Sequence, residues 1–223
     1  MINQFKKIVI IAPHPDDETL GVGGSIKRFS ELNAEVSVLI VSGHLPPLYK
    51  KEIFKTTEKE AKNAFKLLGV KDFNFLKIPA TFLHQEEIGS LYAKIASFIT
   101  EREPDLVFLP FPDRHIDHRI VFDGGIVGCR PNNKYFPKHV LLYETLSETH
   151  WNVAGVEASF QPDFYIDITN QIGYKVNALK EYKSQIDGNR SRSVDAIKAL
   201  GKFRGSQNGV EYAEAFKVVR III

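Results

Sequence analysis

Ile8-Val9-Ile10-Ile11-Ala12-Pro13-His14-Pro15-Asp16-Asp17-Glu18-Thr19-Leu20-Gly21-Val22-Gly23-Gly24 opens as an unbroken apolar run and then packs an imidazole, three carboxylates and three glycines into eleven residues. The run at 8–12 is β-branched and continuous rather than alternating, which is how a strand buried on both faces reads. Three similar runs follow at 36–41, 73–78 and 106–110. Between them the apolar side chains recur at helical spacing: Ile26, Phe29 and Leu32; Ala61, Ala64, Phe65 and Leu68; Leu91, Ile95, Phe98 and Ile99. Gly69 and Pro104 stand where the second and third of these helices should stop. Strand–helix alternation predicts right-handed crossovers and an α/β, Rossmann-like doubly wound, mostly parallel sheet.

Past residue 130 the pattern is less regular. Strands are predicted at 140–143 and 164–168, and Thr169 or Asn170 can cap a helix running through Val176, Leu179 and Tyr182. Residues 187–204 mix Gly, Asn, Ser and basic side chains and suggest no single element. The tail from 213 to 223 reads as an edge strand. With no repeat or linker, 223 residues imply one domain, 1–223, with an irregular C-terminal part.

Composition narrows the chemistry. One cysteine allows neither an internal disulfide nor a thiolate metal site, so any metal must be held by His and carboxylate. A formal net charge of +2 argues against a dedicated nucleic-acid binder. No targeting segment is expected from the opening residues, and no apolar stretch is long enough for a membrane span of about 18–20 residues. A soluble cytoplasmic protein is expected. The charge is uneven, however. Residues 174–204 carry an excess of five positive charges, read either as a solvated face or as a site for a phosphate on the substrate.

His14, Asp16, Asp17 and Glu18 follow the first strand, at the carboxyl edge where open parallel sheets bind ligands. Three acids and an imidazole so close repel one another unless a cation or strong donors hold them. His14 and Asp17 are three apart, so one turn can aim both at a single point while Asp16 points elsewhere. That suits two metal ligands and a separate carboxylate. Simple helix capping explains one acid, not three. A phosphate loop built on Gly21, Gly23 and Gly24 lacks the G-x-G-x-x-G order, and the acids would repel a phosphate.

A second constellation, Asp113-Arg114-His115-Ile116-Asp117-His118, follows the strand at 106–110 and can reach the same edge. His115 and His118 are three apart, with Asp117 between them. Two His and one Asp with open positions form a catalytic type of metal site, leaving a spare His and a spare Asp for proton work.

A-P-H-P-D-D-E-T-L-G-x-G-G followed by a distal H-x-D-H resembles the PIG-L/LmbE family of zinc-dependent deacetylases of N-acetylglucosamine-type substrates. The similarity continues in K-x-x-A-L-x-x-Y-x-S-Q from Lys175 to Gln185 and in G-V-E-Y-A-E-A-F from Gly209 to Phe216. The resemblance implies one Zn2+ per chain, with His14, Asp17 and His118 matching the ligands and Asp16 the general base. His115 then matches the histidine that assists at the transition state, and Asp117 its orienting partner. The implied reaction releases acetate and an amino sugar from an N-acetylated sugar that is nucleotide-, lipid- or glycan-linked. The alternative is a metal-dependent amide hydrolase acting on a thiol-linked glycoside or a non-sugar amide. The donors alone do not choose zinc over iron, and homo-oligomerisation stays open.

Two departures bear on the substrate pocket. Gly43-His44 stands where family members often carry Gly-Glu, and Thr57 precedes Glu60 where an Arg is frequent. His44, Tyr182, Arg204 and Tyr212 are the candidate substrate contacts. His84 reads as a surface residue, and Cys129 as a buried small side chain.

Overall fold

The computed structural model describes residues 2–153 and 155–223. The chain runs β1 (Lys7–Ala12), α1 (Asp17–Glu31), β2 (Glu35–Gly43), α2 (Lys51–Leu68), β3 (Asp72–Pro79), α3 (Ile88–Arg102), β4 (Leu106–Pro110) and α4 (Ile116–Gly128). It continues through β5 (His139–Tyr143), β6 (Phe164–Asp167), α5 (Ile172–Glu181), α6 (Lys183–Ile186), α7 (Val194–Ser206) and β7 (Ala213–Ile221). Among the described residues the strands form one sheet in the order β3-β2-β1-β4-β5-β7-β6. The first five pair in parallel, and β7 runs antiparallel to both β5 and β6.

The unbroken apolar character of β1 has a direct cause. Ile8, Ile10 and Ala12 face Val22, Ile26 and Phe29 of α1, while Val9 and Ile11 face Leu91, Ile95 and Ile99 of α3. Each such side chain contributes about 1.5–3 kcal/mol on burial, and both faces of the strand are covered. The predicted faces of α2 and α3 are buried, and Gly69 ends α2 at φ 87°, a conformation that favours glycine.

β1 connects through α1 to β2 on one flank, whereas its other neighbour, β4, arrives later in the chain. The crevice between the carboxyl ends of β1 and β4 is therefore the topological switch point. The segments leaving those two ends carry the two constellations.

Two expectations are corrected, the placing of the edge strand and the start of α5. β7 lies between β5 and β6, and β6 takes the edge. α5 is capped at Gln171 instead of Thr169 or Asn170, because the Thr169 backbone donates to Asp167 Oδ1 and stays in the turn. Residues 187–204, which suggested no single element, hold a 3-10 turn at Arg190–Arg192 and most of α7. Gly21, Gly23 and Gly24 lie inside α1 and form no loop; a Cβ at Gly24 would meet Ile168 carbons at 2.7–2.9 Å. These glycines let α1 press against its neighbours.

Candidate active site

Asp16 sits at the N-terminus of α1 with φ 114° and ψ −27°, an unusual conformation for a residue with a side chain. Its neighbour holds it there. The Asp16 backbone N–H donates to Glu18 Oε2 (3.2 Å), and the other Glu18 oxygen accepts from Tyr182 (2.6 Å) and Thr19 (2.6 Å) hydroxyls. The Asp16 carboxylate makes no capping hydrogen bond. Arg192 Nη1 donates to its Oδ2 (2.9 Å), while its Oδ1 is buried and unpartnered among the described residues. The capping reading therefore fails for the residue best placed to cap.

Asp17 Oδ2 lies 3.2 Å from His14 Nδ1 and 3.4 Å from His118 Nε2. Ligand atoms about 2.0–2.1 Å from a tetrahedral ion are separated by roughly 3.3 Å, so these spacings fit such an ion. His118 Nε2 is buried without a hydrogen-bond partner among the described residues. His14, His115 and His118 also present one nitrogen each within 4.8 Å of one another. A donor set of imidazoles and a carboxylate suits a borderline divalent cation.

Each of the two candidate histidine ligands is braced from behind. His118 Nδ1 is 2.9 Å from Asp113 Oδ2, which also accepts from Thr149 Oγ1 at 2.9 Å. His14 Nε2 is 2.9 Å from Asp117 Oδ2, which also accepts the Thr81 backbone N–H at 2.7 Å. A carboxylate on one ring nitrogen fixes the tautomer and leaves the other nitrogen's lone pair free for a metal. This corrects the role expected of Asp117. Its carboxylate holds His14, and the one bond of His115 Nδ1 among the described residues is accepted from the Asp117 backbone N–H at 3.2 Å, because His115 is the N-cap of α4.

The electrostatics follow. Burial pushes Asp16 up to about 7, with Arg192 opposing the rise. Burial would lower His14, but its bonds to Asp117 and Asp17 overcome that and hold it at about 9. His118 is likewise raised to about 10 by Asp17 and Asp113 against its burial. His115 moves the other way, to about 4, through burial and the two neighbouring histidines. The histidine expected to assist at the transition state is therefore held neutral by its surroundings. Its ring stacks on His118, with centroids 5.0 Å apart and planes at 29°.

Residues 9–127, more than half of the chain and both constellations, match the family described as PIG-L: GlcNAc-PI de-N-acetylase. The chain belongs to the PIG-L family. This PIG-L chain is 26% identical to the diacetylchitobiose deacetylase of Thermococcus kodakarensis, across 97% of the chain and 84% of that relative. It is 24% identical to a probable N-acetyl-alpha-D-glucosaminyl L-malate deacetylase 2 of Bacillus cereus, across 82% of the chain and 84% of the relative. Its fold matches the N,N'-diacetylchitobiose deacetylase structure from Pyrococcus horikoshii with a TM-score of 0.79 at 24% identity, covering 98% and 85% of the two chains.

In this PIG-L chain the substrate contacts expected from sequence fare unevenly. His44 is half-buried near the site, edge-on to Tyr49 at 4.6 Å, and held down to about 4 by burial and the charges of His14 and Arg192. Tyr182 is fully buried, with its hydroxyl on Glu18, so it supports the wall of the site and offers nothing to a ligand. Arg204 is consumed by two bonds to buried Glu144, at 2.9 and 2.7 Å. Tyr212 packs against the core and alongside Gly201. Lys175, paired with Glu214 at 2.6 Å, likewise spends its charge internally, which weakens the phosphate-site reading of 174–204. Thr57 is buried and donates to the Phe54 carbonyl. His84 is exposed and Cys129 buried.

Four roles escaped the sequence reading: those of Asp113, Thr149, Arg192 and Glu18 in bracing the site. Asp113 alone had a visible signal, as a carboxylate five residues before His118. Thr149 and Arg192 arrive from segments with no local pattern.

Proposed function

We propose that this chain is a zinc-dependent hydrolase that removes the acetyl group from an N-acetylglucosamine-type sugar. One observation carries the reading. Asp17 Oδ2 sits between His14 Nδ1 and His118 Nε2, and the unpartnered Oδ1 of Asp16 belongs to the residue immediately before it. The kinship with deacetylases of diacetylchitobiose and of an N-acetylglucosaminyl malate supports the substrate class.

His14, Asp17 and His118 would hold the ion, which when bound supplies Lewis acidity toward an amide carbonyl and makes water acidic near pH 7. Asp16 takes the proton from the attacking water on Oδ1, since Oδ2 is engaged by Arg192. Neutral His115, whose Nδ1 accepts a backbone N–H, carries its own proton on Nε2 and so can donate toward the developing oxyanion. The proton held on Asp16 then passes to the amide nitrogen as the C–N bond breaks, so acetate and the free amine leave and Asp16 is restored. The single cysteine supports a cytoplasmic setting. Metal analysis of the purified protein and acetate release from a panel of N-acetylhexosamine conjugates test the reading. Zinc without acetate from any sugar would turn it toward a non-sugar amide, and iron would overturn the metal.

A further inference from the structure

Arg192 reaches the site from the basic stretch 174–204, where nothing in the local spacing singles it out. It lies in a single 3-10 turn, Arg190–Arg192, fixed at both ends. Asn189 Oδ1 accepts from the Ser191 backbone and hydroxyl, and Ser193 Oγ caps α7 by accepting the Ala196 N–H at 3.1 Å. The guanidinium is itself held on several sides. Nε donates to Ser147 Oγ at 3.0 Å, Nη2 lies 3.5 Å from Glu148, and Nη1 is shared between Asp16 Oδ2 at 2.9 Å and Gln185 at 3.5 Å. Only a planar fork of donors can span these partners at once; an ammonium is a point charge.

We propose that Arg192 is the positioning residue for Asp16, anchoring Oδ2 so that Oδ1 alone is turned to the reacting water. The proposal rests on the deacetylase reading above. An ion pair on one oxygen holds the orientation of a buried carboxylate and leaves the other oxygen free to accept a proton, which is the alignment that proton transfer needs. The Asp16 backbone, already held by Glu18, fixes the other end of the same side chain.

The test uses the zinc-loaded full chain and the variants Arg192→Ala, Arg192→Met and Arg192→Lys. A misplaced base costs about 10^2-fold in kcat, and an effect on positioning leaves KM within about threefold. Arg192→Met, which keeps the packing stem, should lose as much as Arg192→Ala, and Arg192→Lys should lose less. Added guanidinium should restore part of the Arg192→Ala activity and none of that of Asp16→Asn. Unchanged kcat in folded Arg192→Ala or Arg192→Met, or a KM rise confined to anionic substrates, overturns the proposal. A wild-type chain that releases no acetate overturns the deacetylase reading instead. The pairing is read separately by NMR of the Arg192 Nε signal. It should shift in Asp16→Asn, and a signal indifferent to that substitution refutes the anchor whatever the activity.

Discussion

Asp117 braces His14: its Oδ2 lies 2.9 Å from the ring Nε2, and the same oxygen is tied to the Thr81 backbone at 2.7 Å. The ring therefore turns its Nδ1 toward Asp17. Removing such a bracing carboxylate typically lowers metal affinity 10- to 100-fold. Asp117→Ala should show a loss of about that size by chelator competition. If zinc affinity stays at the wild-type value while turnover falls, Asp117 serves His115 instead.

Asp113 does the same for His118, with Thr149 donating to the same carboxylate oxygen. Asp113→Ala should weaken zinc by a similar factor of about 10 to 100. Thr149→Val should weaken it less, since it leaves the Asp113–His118 bond in place. Equal effects from the two substitutions would mean that Thr149 acts by some other route.

The stripped site should also show itself in stability. His14 and His118 are raised to about 9 and about 10, above the 6.5 of a free imidazole. Groups raised on folding contribute stability that is fully present below pH 6.5 and is lost as pH climbs through 9 to 10. The chelator-treated protein should therefore lose Tm between pH 6.5 and 10. The gain in Tm on adding zinc should grow over the same window, because zinc binds the neutral rings. Calorimetry of both forms reads the difference, and parallel curves would contradict it.

Gly24 tests the packing that brings α1 to the site. A methyl group there meets three Ile168 carbons at 2.7–2.9 Å, and Ile168 is fully buried and branched at Cβ. Overpacking of this kind costs about 1–3 kcal/mol, and Gly24→Ala should lower Tm by roughly 2–4 °C per kcal/mol at this chain length. An unchanged Tm would mean that the helix can shift without strain.

The four parallel strands of the first half, and the meeting of both constellations at one sheet edge, are legible in the residues. Continuous β-branched runs and helical spacing are local signals, and β1 and β4 meet because the chain reverses its winding between them. Which carboxylate serves which histidine is not legible. Asp117 is two residues from His115 and 103 from His14, yet its side chain turns to the distant ring. The near one is satisfied by the helix N-terminus. Tyr182 and Arg204 mislead for a related reason: buried Glu18 and Glu144 claim them, and partners brought in by tertiary packing leave no mark in local spacing.

The central claim is that Asp16 acts as a base beside a zinc ion held by His14, Asp17 and His118. Its most direct test is acetate release from diacetylchitobiose and from an N-acetylglucosaminyl conjugate, by zinc-matched wild type and Asp16→Asn. The wild type should release acetate and a free amine in equal amounts. Asp16→Asn should hold the same zinc while losing about 10^2- to 10^4-fold in kcat. An Asp16→Asn protein that turns over like wild type would contradict the account.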